Sequence, residues 1–264
     1  MDEPLRTRRK LEHDLREALD TKTQFEVAYQ PVYSADSDRP CSLEALSRWN
    51  HPTLGFVPPD VFIPLAEEIG IINAIGTMVL EDACGLLAQV PGIDMAINAS
   101  AVEIGTSGYP LRVMSTLAKW KIDPKRLEIE ITESLAISGE EQTARNIEVL
   151  RAAGIRFAID DFGTGYSSFS RVQNVTVDRI KIDKSFTDGL HESRSRALVE
   201  AMINMARAHG MKTTAEGVET IEQREALRSL GCDNVQGYLM SRPISSEGVK
   251  RLLAAGERRS KSGN

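Results

Sequence analysis

The chain has 264 residues, 41% hydrophobic and 27% charged, with a formal charge of -6. That length suits a single α/β barrel and supplies enough apolar residues for a full core. No apolar run approaches the ~18 residues that cross a bilayer, no N-terminal apolar stretch resembles a secretory signal, and the acidic balance argues against long nucleic acid as a partner. The three cysteines, Cys41, Cys84 and Cys232, stand at no metal-binding spacing. They read as reduced, packed thiols of a cytoplasmic chain.

In chain order, Leu11, Leu15, Ala18 and Leu19 form one stripe on a charged segment, which predicts a connector helix over residues 1–20. A barrel domain is expected over 21–256, with a polar, disordered tail at 257–264. Eight short apolar runs read as strands: 25–32, 42–46, 95–98, 127–132, 156–160, 179–183, 212–215 and 234–239. Helical periodicity lies between them at 61–90 (broken near 70–74), 111–120, 140–153, 194–209 and 221–230. Gly154, Gly210 and Gly231 follow three of these helices, where a left-handed cap favours glycine. The rhythm is that of βα units closing into a TIM-like (β/α)8 barrel. About ten residues, rich in Ser, Asp and Pro, join the first two strands, and a parallel crossover usually needs about a dozen or more. The first strand is therefore expected to run antiparallel to the rest.

The polar residues gather at strand ends. Glu44, Asn98, Glu130, the pair Asp160 and Asp161, Lys181, Glu216 and Gln236 each close or follow an apolar run. In a parallel barrel those ends converge on one face. A single acid at a strand end is ordinarily a cap or a solvated rim residue. Several carboxylates buried together repel one another and need cations. Oxygen donors without a cysteine or histidine cluster favour Mg²⁺ or Mn²⁺ over zinc. His51, between Trp49 and Pro52 in a packed turn, reads as structural.

At these residues the chain resembles the EAL-domain family of cyclic di-GMP phosphodiesterases over about residues 10–250. The matching blocks are Gln30-Pro31-Val32, Glu44-Ala45-Leu46-Ser47-Arg48-Trp49 with His51-Pro52, Phe62 to Glu67, and Ile97 to Ser100. Glu130-Ile131-Thr132-Glu133, Asp160 to Ser168, Lys181-Ile182-Asp183, Ala215 to Glu219 and Gln236-Gly237-Tyr238 complete them. The resemblance implies two divalent ions. Glu44, Asn98, Glu130 and Asp160 would hold the first, and Asp160 would bridge to a second on Asp161. It implies that Lys181 orients the attacking water, that Glu216 acts through metal-bound water, and that Glu133 braces the loop beginning at Phe162, Gly163, Thr164, Gly165, Tyr166 and Ser167. That loop would couple the site to a homodimer interface. Gln30, Leu46, Arg48, Asp183, Gln236 and Tyr238 would line the substrate groove, with Arg48 either on a phosphate oxygen or in a surface ion pair. The implied reaction is hydrolysis of cyclic di-GMP to the linear dinucleotide pGpG, in a cytoplasmic chain that stands alone or follows a sensor or cyclase domain. The alternative is a silent cyclic di-GMP receptor or interaction module, which the full set of acidic positions disfavours.

Overall fold

Among the described residues nine strands form: β1 (Phe25–Ser34), β2 (Pro40–His51), β3 (Gly55–Val57), β4 (Asp94–Asn98), β5 (Leu127–Thr132), β6 (Arg156–Phe162), β7 (Arg179–Ile182), β8 (Lys212–Ala215) and β9 (Asn234–Val235). The computed structural model describes residues 3–21, 23–137, 139–164 and 177–261. Eight strands close a barrel in the order β1-β9-β8-β7-β6-β5-β4-β2, with β2 returning to β1, while β3 is a hairpin extension on the far end of β2. Within the barrel, β2 with β4 and all neighbours from β4 through β9 are parallel. β1 runs antiparallel to both of its partners, as the short link requires.

Around the sheet lie α1 (Glu3–Thr21), α2 (Pro59–Glu68), α3 (Ile72–Leu87), α4 (Ala101–Ile104), α5 (Tyr109–Trp120), α6 (Glu133–Ile137), α7 (Glu141–Ala152), α8 (Lys184–Asp188), α9 (Ser193–Ala208), α10 (Ile221–Leu230) and α11 (Ser246–Lys261). The expected glycine caps are left-handed, with φ of 100°, 72° and 82° at Gly154, Gly210 and Gly231. Two boundaries differ from expectation. The eighth strand stops at Val235, because Gly237 lies so close to the Val218 backbone that a Cβ has no room and the chain must turn away. Helix α11 runs on to Lys261 through most of the segment expected to be disordered. Cys84 and Cys232 are buried, whereas Cys41 is exposed. No helix among the described residues is long and apolar enough to cross a membrane.

Alternation along β5 turns Leu127, Ile129 and Ile131 toward the helices and Glu128 and Glu130 into the lumen. The lumen is consequently ionic, where barrels of this type usually stack branched aliphatic residues. In its lower layer Arg179 donates to Glu128 at 2.9 Å and to Thr214 at 3.1 Å, and Arg156 donates to Asp94 at 2.8 Å. Two residues further along β7 and β5, Lys181 and Glu130 begin the upper layer. The apolar core lies between sheet and helices, around Phe62, Leu80, Leu117, Phe157 and Ile203.

Helix α1 lays its stripe on that core, with Leu15 and Ala18 fully buried and Leu11 and Leu19 packed beside them. His51, at the end of β2, fastens it. The ring Nδ1 accepts from the backbone N–H groups of Thr53 and Leu54 at 3.2 and 3.1 Å, so Nε2 carries the proton and donates to Asp14 Oδ2 at 3.0 Å. Replacing His51 with Ala strands Asp14 and opens space against the Trp49 ring. Urea titration is expected to show a loss of about 2 kcal/mol; unchanged stability would remove His51 as the fastening.

Candidate active site at the barrel mouth

Lys181 is 2% exposed, yet its ammonium is ringed by acids. Its Nζ lies 2.6 Å from Glu130, 2.8 Å from Glu216, 3.0 Å from Asp160 and 3.4 Å from Glu44. These residues come from β7, β5, β6, β2 and the residue after β8, so the parallel register alone assembles the ring. Glu44 is held on both oxygens, accepting from Asn98 at 2.9 Å and from Gln236 at 2.6 Å.

A strand points successive side chains to opposite faces, so two adjacent aspartates need a special backbone to share a mouth. β6 supplies it. Its register with β7 shifts between Ile159 and Phe162, and Asp161 adopts a left-handed φ of 51°. As a result, ligand atoms of Asp160, Asp161 and Glu216 fall within 4.8 Å of one another. Glu133, 6% exposed, secures the next turn by accepting from the Gly163 N–H at 3.2 Å. Gly163 has φ 97°, and a Cβ there would press on Met202 at 2.6 Å and Phe186 at 2.9 Å.

One ammonium cannot balance four carboxylates, and the acidities show it. Burial, reinforced by the Glu44 charge and opposed by Lys181, holds Glu130 well above the carboxylate range. Burial likewise brings Glu216 to about 7 against the pull of Lys181. Asp161 is raised by burial and by the Asp160 and Asp183 charges. Burial alone would lower Lys181, but Glu130, Glu216, Glu44 and Asp160 overcome it and hold the lysine well above its ordinary value. Glu44 is likewise buried, yet the Lys181 charge and the amides of Gln236 and Asn98 keep it ionised, below the ordinary value. A lysine held so firmly protonated does not serve as a base near neutrality.

The donor set fits divalent cations. It consists of carboxylates and one amide carbonyl, and among the described residues Asp160 Oδ1 is buried without a hydrogen-bond partner although Lys181 is near. Two cavities flank the ring and share Leu46 and Asp160. One, of about 310 Å³, includes Gln30, Lys184, Glu219, Gln236 and Tyr238. The other, of about 420 Å³, runs past Arg48 and Asp161 to Ile75 and Val79.

Most sequence-predicted site residues meet here, with exceptions. Asp183 lines neither cavity, because its carboxylate caps α8 by accepting from the Ser185 N–H at 3.0 Å. Arg48 makes no ion pair among the described residues and lies over the Phe56 ring at 5.7 Å. Tyr238 is half exposed, with the Arg242 guanidinium 4.2 Å from its centroid. Gly165, Tyr166 and Ser167 fall outside the described residues. Sequence reading missed the rim pair Lys184–Glu219 at 2.5 Å, whose sign was Gly217: a Cβ there would strike the Lys184 side chain.

Fold and mouth together define a barrel with an acid-rich, cation-ready C-terminal face. The chain belongs to the EAL domain family, whose model matches residues 12–243. It is 40% identical over 263 residues to the oxygen sensor protein DosP of Escherichia coli strain K12, covering 97% of this chain and 32% of that protein. It is 38% identical over 249 residues to the bifunctional diguanylate cyclase/cyclic di-GMP phosphodiesterase MucR of Pseudomonas aeruginosa, covering 92% and 36%. The solved structure of the PaMucR phosphodiesterase in complex with c-di-GMP superposes with a TM-score of 0.85 at 37% identity, over 91% of this chain and 99% of that one. The chain therefore spans about a third of the length of these curated relatives.

Proposed function

We propose that this barrel hydrolyses cyclic di-GMP to linear pGpG. The observation that carries the reading is the ring of four carboxylates about one buried lysine, opening on both sides into a cavity. A cyclic dinucleotide has a charged centre and two flat bases, which is the same division of polar middle and flanking lobes. Cyclic di-GMP is also the substrate or ligand named for several relatives.

Two divalent ions, held by Glu44, Asn98, Glu130, Asp160 and Asp161, would neutralise the acids, draw in a phosphate and make a water acidic enough to attack. The chain's own residues do the positioning. Lys181 orients the attacking water and offsets charge as the phosphorus becomes more crowded. Glu216, across from it, accepts a hydrogen bond from that water. Gln236 and Asn98 fix the plane of Glu44. Gln30, Leu46 and Tyr238 line one lobe and Arg48 the other, and the Arg48 guanidinium would pair with a phosphate oxygen. A homodimer joined through the loop after Asp161 is part of this reading, because the Glu133–Gly163 bond ties that loop to the site.

The test is incubation with cyclic di-GMP and Mg²⁺ or Mn²⁺, with EDTA as control, following products by chromatography. Metal-dependent pGpG is expected; binding without product under both metals would turn the reading toward a receptor. A pH dependence follows. Glu216 titrates at about 7, and a proton there competes with a cation, so affinity strengthens as pH rises through that value. Calorimetry is expected to show metal affinity rising about tenfold from pH 6 to pH 8, with proton release. A flat profile would separate Glu216 from the metal site.

A further inference from the structure

The second lobe passes from exposed Asp60 and Asp161 at its mouth to buried Ile75 and Val79. One carboxylate stands among the buried residues that line it. Glu103 is 4% exposed and sits on the face of α3, where a Cβ at Gly76 would collide with it. Its Oε1 accepts from Arg112 at 2.9 Å, and Arg112 in turn donates to Asn73 at 2.7 Å. Oε2 accepts from the Ser100 N–H at 3.3 Å, closing a capping box on α4. Each oxygen keeps a further lone pair. The cap alone explains little of this, because a glutamine completes the same box. Burial pushes the Glu103 carboxyl up to about 7 against the pull of Arg112, so ordering it as an anion in an apolar lobe is unfavourable unless donors arrive with a ligand.

We propose that Glu103 selects guanine, accepting N1–H and the 2-amino group of one base inserted between Ile63, Ile75 and Val79. This rests on the proposed hydrolysis of cyclic di-GMP and adds the residue that discriminates its base. Guanine offers two adjacent donors on that edge, which a carboxylate matches with two acceptors. Adenine offers an unprotonated N1 and lacks a 2-amino group, so the same carboxylate meets a lone pair. Arg112 holds the carboxylate in plane, and Gly76 leaves it the space.

The experiment measures binding of linear pGpG and pApA by calorimetry, to the wild-type protein and to Glu103→Gln. Wild type is expected to prefer pGpG. In Glu103→Gln that preference falls on the order of 30-fold, with pApA affinity unchanged, the loss of a hydrogen bond to a charged group. An undiminished preference overturns the assignment, as does a parallel loss for both ligands, which a collapsing lobe produces. A second measurement needs no variant: pIpI, which lacks the 2-amino group, is expected to bind wild type about tenfold more weakly than pGpG. Equal binding of pIpI and pGpG overturns the two-donor contact. Hydrolysis of cyclic di-GMP by wild type is assayed in parallel. Its absence, beside a guanine preference that follows Glu103, sinks the reaction and leaves the base reader standing.

Discussion

Asp160→Asn is expected to yield a metal-free protein at least as stable as the parent and nearly inert toward cyclic di-GMP. The two effects have one cause. Asp160 is one of four carboxylates within 3.4 Å of a single ammonium, so an uncharged isostere relieves repulsion in the empty ring. Its Oδ1 is buried without a hydrogen-bond partner among the described residues, and its carboxylate lies where Asp161 and Glu216 converge. Removing its charge weakens cation binding at the centre of the cluster. Turnover is expected to fall on the order of 10³-fold, while urea titration in EDTA shows a gain or no change. If the variant instead lost stability without metal, the ring would be balanced already and the cation argument would fail.

Lys181→Met is expected to do the reverse to the empty protein. The methionine fills the volume, but Glu44, Glu130, Asp160 and Glu216 lose their shared cation. A buried charge left without its partner costs about 3–5 kcal/mol. The pH dependence has a definite sign. The parent already holds Glu130 above the carboxylate range and Glu216 at about 7, and the variant raises both further. An acid with a raised folded pKa leaves stability intact below its unfolded value near 4.5, and stability drains away as pH rises through the folded value. Denaturation in EDTA should therefore place the variant close to the parent at pH 4.5 and far below it at pH 8, with Mn²⁺ restoring part of the difference. Turnover is expected to stay low even with metal. Activity near the parent's level would show that Lys181 serves the fold alone.

Much of this architecture is written locally. Each strand's alternation, the left-handed glycines after α7, α9 and α10, and the short link before β2 are single-segment signals, and so is the placement of Glu44, Glu130 and Lys181 at the ends of their runs. What escaped notice depends on segments meeting. The left-handed backbone of Asp161 has no glycine to announce it, because an aspartate is held there by the shift between β6 and β7. Asp183 lay in a motif that suggested substrate, yet a carboxylate two residues before Ser185 finds a helix N-terminus first. Glu103 lies outside every strand end that drew notice, and only packing against α3 shows that its carboxylate faces a cavity.

The joint between β1 and β9 rests on two residue pairs, Tyr33 with Val235 and Ser34 with Asn234, whereas β1 and β2 share nine. Two backbone bonds between Tyr29 and Ile244, at 2.7 and 2.8 Å, close the gap above. Here the cylinder has a zip. Gln236, directly after β9, grips Glu44 across it at 2.6 Å, so a side-chain bond at the barrel mouth spans the joint that the backbone barely closes.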